Sequence, residues 1–377
     1  MITGFRIEGY RGFKSLQANQ LGRINLLVGR NNAGKTSLME ALFIALARGN
    51  PTGLWQLLVT RGEGFVDVPE PGRAIVQEMQ VAHLFSGHAP ETGAGFSIET
   101  QEDGKTQKTQ VEIKPTDRNL TPALLQLLRL NESAAGPTNV SLVISVSTDG
   151  AAPLVQVPLT IRGGLRQDIA FNAAHLMGFP SRESLPPVVF KNSDPEPVNQ
   201  LQAAFGQIAL SPEEDRLIKV LQIIEPKITR IANTGQQPVG VGWPTRGGFV
   251  VKMEGSETAI PIGSMGDGIW RLLSLALLFS RSKGGYVLVD EIDTGLHHSV
   301  MEKLWDFVYK SAELLNFQLF ATTHSDDCVR SLAYVCRENV RVGSNVTLHR
   351  VEKGNPKTIS YNEAEIIALA KAHVESR

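Results

Sequence analysis

Several protein classes are excluded by what this chain lacks. It holds two cysteines, Cys328 and Cys336, in 377 residues. That is no disulfide framework and no paired zinc motif, so both are expected as buried thiols in a reducing cytosol. Long apolar runs are missing as well. The longest, Leu272 to Phe279, is broken by Ser274 and is too short to span a bilayer. The first residues, Met1 to Arg6, carry no apolar signal-peptide core. A cytoplasmic protein without a membrane partner is expected. Net charge is close to nil at -1, which removes a global basic field but leaves a local basic patch open. Sustained a/d patterning is absent, which excludes a long coiled coil, and there is no internal repeat. What remains, 42% hydrophobic and 20% charged residues, is enough for a large core and two or three domains.

One stretch organises the rest. Gly29-Arg30-Asn31-Asn32-Ala33-Gly34-Lys35-Thr36-Ser37 reads G-x-x-x-x-G-K-T. An apolar run, Ile24 to Val28, precedes it. A helical pattern with apolar residues at Leu38, Ala41, Leu42, Ala45 and Leu46 follows. Strand, glycine loop and helix form the frame of a phosphate-binding loop. Backbone N–H groups from Asn31 to Ser37 and the helix N-terminus would face phosphates. Lys35 would reach the β- and γ-phosphates, and the Thr36 hydroxyl would ligate Mg²⁺.

Residues 1–30 alternate as strands, with Phe5, Ile7, Leu26 and Val28 facing a core. From 50 to 190, short alternating segments such as Phe96 to Thr100, Thr109 to Ile113 and Val140 to Ser147 sit between turn residues, a β-rich pattern. One helical piece, Pro122 to Leu130, interrupts it. From Asp194 the chain turns helical, and residues 263–377 alternate strand and helix, which argues a parallel α/β sheet. The division expected is 1–50, 51–190 and 191–377.

Two further motifs carry chemistry. Tyr286 to Val289 is an apolar strand ending in Asp290 and Glu291. Strand ends of this kind lie at the carboxyl edge of a sheet, where ligands bind. Asp290 would hold Mg²⁺, directly or through water, and Glu291 would polarise the attacking water. The next buried strand, Phe317 to Ala321, ends in Thr322-Thr323-His324, and His324 could sense a γ-phosphate. Ser264-Met265-Gly266-Asp267-Gly268 opens another helix and offers a hydroxyl and N–H donors to an anion. One nucleotide already has its loop, so this second anion-binding start suits the nucleotide of another subunit.

This order of motifs resembles an ABC-type ATPase head, with Asp290 lying 255 positions after Lys35, a separation that fits an inserted segment. Within that class it is similar to the RecF/SMC-like and OLD-family heads. Phe5-Arg6-Ile7-Glu8-Gly9-Tyr10-Arg11-Gly12-Phe13 resembles their F-R-G-F start, and Asp290-Glu291-Ile292-Asp293-Thr294-Gly295-Leu296-His297 resembles their D-E-[PI]-[ED]-x-G-L-H stretch. The resemblance spans 1–45 and about 185–377. It implies an α/β P-loop head with mixed β-sheets, flanking helices and a β-rich insert. It further implies Mg²⁺-dependent hydrolysis of ATP by Lys35, Glu291 and His324. Arg11 would lie near the nucleotide, and Ser264 and Gly266 would close over it from a twin molecule. Asp293 and His297 would lie at that interface, and Arg271 would face DNA or solvent.

The signature here departs from the transporter L-S-G-G-Q, and Gln77 and Gln80 are only candidates for the Q-loop glutamine. The Toprim nuclease of OLD proteins is expected to be missing. The resemblance implies a homodimer that gates a separately encoded nuclease or toxin in prokaryotic defence or repair. The alternative is a DNA-binding clamp that uses ATP as a switch. A transporter subunit fits poorly, and no N-K-x-D motif supports a GTPase.

Overall fold

The computed structural model describes residues 1–66, 77–116, 137–148, 154–160, 162–176, 185–194, 196, 198–235, 248–339 and 345–371. The helical piece expected at Pro122 to Leu130 lies outside the described residues.

A six-stranded sheet forms the base of the site. Its order is Val188–Lys191, Tyr286–Val289, Gln318–Thr322, Ile24–Val28, Val346–Arg350 and Ile359–Tyr361. The first five strands run parallel, and the last pairs antiparallel at the edge. Strands of the inner sheet are apolar at nearly every position because both faces are covered. Alternation along Ile24–Val28 sorts its side chains. Ile24, Leu26 and Val28 join a core with the helices Asp267–Ser280, Met301–Leu315 and Asp326–Glu338. Leu27 joins a second core with the helix Lys35–Leu46 on the opposite face. Asn25 shares that strand and is fully buried. Its side chain is satisfied by the carbonyls of Gly22 and Leu319.

The second core continues into an antiparallel sheet. Phe13–Asn19 and Ile2–Tyr10 lie side by side, followed by Gly95–Glu102, Lys105–Pro115, Pro137–Thr148 and Leu154–Thr160. The N-terminal strands therefore share one sheet with strands of the 51–190 stretch, and no break between sheets falls at residue 50. The helix Lys35–Leu46 is buried between the two sheets.

Two helices lie within the stretch expected to be β-rich: Pro51–Thr60 and Gln167–Leu176. The first has a local signal, with Asn50 as N-cap accepting from Thr52 N and Pro51 in the first turn. Ser211 caps the helix Pro212–Ile224 by accepting from Glu213 N, with Pro212 in its first turn. Gln77 and Gln80 bound a short strand in a separate three-stranded sheet with Gly64–Val66 and Gly164–Arg166.

Candidate functional site

The strand Ile24–Val28 delivers the glycine loop to the carboxyl edge of the parallel sheet. Gly34 is the N-cap of the helix Lys35–Leu46, in the left-handed region at φ 98°. A Cβ there would sit 2.6 Å from Phe13 Cζ, so the aromatic ring of the N-terminal F-R-G-F stretch packs directly on the loop glycine. Asn32 also has a positive φ of 63°, a conformation asparagine tolerates better than most residues. Ala33 is buried, whereas Asn31 and Asn32 are exposed. Lys35 Nζ folds over its own loop, 2.7 Å from Gly29 O and 3.2 Å from Arg30 O. Partial burial pulls the Lys35 amine below its ordinary value, and the nearby charges of Asp290 and Glu291 oppose that shift.

Neighbouring strands bring the acids to the same edge. Tyr286–Val289 pairs with Gln318–Thr322, which pairs with Ile24–Val28, so three strand ends stand in a row. Thr36 Oγ1 donates to Asp290 Oδ2 at 2.8 Å across 254 positions of sequence. Thr322 Oγ1 donates to the other oxygen of Asp290 and accepts from Glu291 N at 2.8 Å. Glu291 Oε1 lies 3.5 Å from His324 Nδ1, and Glu291 Oε2 accepts from Thr294 Oγ1 at 3.0 Å. The set is graded in exposure. Asp290 is buried, while the Glu291 and His324 side chains are 38% and 53% exposed. A buried carboxylate held by two hydroxyls sits behind an open carboxylate–imidazole pair. Ser325 caps the helix after His324 by accepting from Cys328 N, which fixes the turn that carries the imidazole.

Arg11, expected near the nucleotide, pairs with acids in this structure. Its side chain is buried, and all three guanidinium nitrogens have partners away from the loop. Nε lies 2.8 Å from Glu40 Oε2, and Nη1 and Nη2 contact Glu63 at 2.6 and 3.1 Å. Glu40, itself buried, also receives Arg61 Nε at 2.6 Å. These ion pairs occupy the Arg11 guanidinium with Glu40 and Glu63. It braces the helix that follows the loop.

Ser264 and Gly266 are exposed. They precede the helix Asp267–Ser280, whose N-terminus has no side-chain cap. Among the described residues, no hydrogen bond or ion pair joins them to the glycine loop of the same chain. Ser37 is linked instead to Arg61, whose Nη2 lies 3.4 Å from its hydroxyl. Asp293, expected at an interface, is buried, whereas His297 is exposed and caps the short turn His298–Val300.

Thr322 and Arg271 went unassigned or misplaced. Thr322 left no mark beyond its place before His324. Arg271, expected to face DNA or solvent, is half-buried and donates through Nη2 to Glu291 O at 3.2 Å.

Two family models match the chain on either side of its middle. The model of an AAA ATPase domain matches residues 1–120, which include the loop. The model described as "AAA domain, putative AbiEii toxin, Type IV TA system" matches residues 205–328, which include the acid pair and His324. The ATP/GTP phosphatase of Helicobacter pylori is 22% identical over 358 residues, covering 90% of this chain and 89% of that protein. The DNA replication and repair protein RecF of Lactobacillus gasseri is 32% identical over 81 residues, 21% of each chain. Among solved structures, the SMC head domain from Thermotoga maritima aligns over 96% of this chain and 98% of its own, with TM-score 0.46 and 12% identity.

Proposed function

Because the chain belongs to the ABC-type ATPase heads of the RecF/SMC-like group, and so binds and hydrolyses ATP, we propose that it closes as a homodimer around two nucleotides and uses that closure to gate a separate effector. The observation that carries the assignment of its site is the continuous link Thr36, Asp290, Thr322, Glu291. It ties the phosphate loop to the acid pair across two strand ends.

Each residue takes a role that its position supports. Loop N–H groups and Lys35 cradle the phosphates, with Lys35 exchanging its loop carbonyls for β- and γ-oxygens. Thr36 and Asp290 offer the hard oxygen donors that suit Mg²⁺, and their side chains already touch. Among the described residues no group of three His, Cys, Asp or Glu side chains could hold a metal. An ion at Thr36 and Asp290 would therefore complete its shell from phosphate and water. Bound there, it would neutralise charge on the β- and γ-phosphates. Glu291 orients a water for in-line attack and accepts its proton. His324, within reach of Glu291, contacts the γ-phosphate. Ser264 and Gly266 face the partner's nucleotide, which accords with their exposure. Catalysis here is chiefly positioning and charge stabilisation.

Glu291→Gln tests the assignment. Turnover is expected to fall by about 10²–10⁴, with ATP still bound and an ATP-dependent dimer accumulating in mass measurements. Turnover at the parental rate would remove Glu291 as the base. The description of the matched family model gives the toxin as the AAA protein itself, so a separate nuclease or toxin as the gated effector rests on the motif resemblance alone. Co-purification with the product of a neighbouring reading frame tests that pairing.

The match to RecF favours a second reading, a DNA-binding clamp switched by ATP. A salt-dependent DNA gel shift that requires a nonhydrolysable nucleotide would support it. No helix among the described residues is long and apolar enough to cross a membrane.

A further inference from the structure

Glu291 holds a backbone conformation that glutamate rarely adopts, with φ of +49°. For a residue other than glycine this is strained and persists only where neighbours hold it in place. Three groups do so. Its N–H donates to Thr322 Oγ1, and its carbonyl accepts from Thr294 N at 3.0 Å and from Arg271 Nη2 at 3.2 Å. Thr322 belongs to the neighbouring strand and Thr294 to the same turn. Arg271 alone comes from the helix Asp267–Ser280, one turn beyond the exposed Ser264–Gly266 segment.

The surroundings of Arg271 are those of a side chain held in place at an energetic cost. Burial disfavours its charge, and Glu196, Asp293 and Glu291 lie close enough to oppose that effect. Its Nε is buried and makes no hydrogen bond, and neither does Oδ1 of the buried Asp293. Buried polar atoms without partners are uncommon and mark places where structure is under strain or can rearrange. A guanidinium kept at such a place, with one hydrogen bond to a strained carbonyl, is more than a surface charge.

We propose that Arg271 is a positioning residue. It holds the backbone of Glu291 in its left-handed conformation and ties the aim of that carboxylate to the helix opened by Ser264–Gly266. Displacement of that helix start by an anion moves Arg271, and Arg271 moves the carbonyl of Glu291. If the segment caps a second copy's nucleotide, occupancy of one site sets the geometry of the hydrolytic acid belonging to the other. The inference rests on Glu291 acting as the base.

The test compares Arg271→Met, Arg271→Lys and Glu291→Gln in steady-state ATP hydrolysis, with thermal unfolding of each. Arg271→Met keeps much of the side chain's length and removes every donor. Its kcat is expected to fall by about tenfold to a hundredfold, as small misplacement of a reacting group allows. Its KM should stay within about twofold and its unfolding temperature close to the parent's, because loop and fold are untouched. Arg271→Lys should recover part of kcat, and it stands in if the Met variant does not fold. In a folded variant, an unchanged kcat, or a kcat that falls only in step with a rising KM, would overturn the proposal. If Glu291→Gln retains turnover, the assignment of the base has failed instead. If Glu291→Gln is inactive and both Arg271 variants are normal, only the role of Arg271 is lost.

Discussion

Thr322 does two jobs with one hydroxyl, which makes it the most informative residue to change. Its O–H donates to buried Asp290, and the same oxygen accepts the Glu291 N–H. Thr322→Val keeps the shape and removes both bonds. Each buried group left unpaired costs roughly 1–3 kcal/mol, so thermal stability should drop and hydrolysis should fall with it. Stability at the parental level would mean that the hydroxyl is not the link. Gly34→Ala tests the loop from the other side. The new Cβ would meet the Phe13 ring at 2.6 Å, in a φ region that alanine avoids. Nucleotide titration should reveal lost binding, and parental affinity would contradict this packing. Lys35, Thr36, Asp290 and Glu291 were legible in the sequence because local backbone geometry fixes them: a glycine loop and an apolar strand end write themselves into a few adjacent positions. Arg11 and Arg271 were not, because an arginine's role is set by the carboxylates and carbonyls that long-range packing brings to it. Glu40 and Glu63 hold Arg11 from 29 and 52 positions away.

Elements divide the same way. Strands of the parallel sheet were readable as apolar runs, since both faces are buried. Their neighbours were not, because strand order depends on which faces pack together. Helix Pro51–Thr60 was lost inside a β-rich stretch despite its Asn-Pro start, as its mostly apolar sequence gives little alternation between faces. Strand Val346–Arg350 carries a further consequence for pH. His349 is fully buried beside the loop strand, with Nδ1 2.9 Å from Ser360 Oγ and Nε2 3.1 Å from Thr347 Oγ1. Burial pushes its imidazole down from 6.5 to about 4. The unfolded chain therefore takes up a proton below about pH 6.5 that the folded chain refuses until about pH 4. Stability from this group is intact above that window and is lost as pH falls through it, by roughly 3 kcal/mol at most. Denaturant unfolding from pH 7 to pH 4 should show a shallower decline for His349→Gln than for the parent. Parallel curves would mean that the histidine does not titrate differently on folding.

At the scale of the whole molecule, one chain brings the loop, the acid pair and His324 to a single edge but leaves Ser264 and Gly266 on the surface. If those two complete the site of a second copy, each site is made from two chains. Mixing variants then gives an outcome that a site within one chain cannot. Ser264→Ala damages only the lid that a chain lends, and Glu291→Gln only the acid that it keeps. Each variant alone should have low turnover. In a mixed dimer, the acid of the Ser264→Ala chain meets the intact lid of the Glu291→Gln chain, so one of its two sites is whole. With free exchange between equal amounts of the two chains, about half of the dimers are mixed and at most roughly a quarter of parental activity should return, less where the altered Ser264 loosens its own chain's acid. Recovery should need ATP and should scale with the mixed species resolved by mass. If both variants are inactive alone and the mixture stays at their sum while mixed dimers are present, the lid acts within its own chain and the two-chain site is wrong.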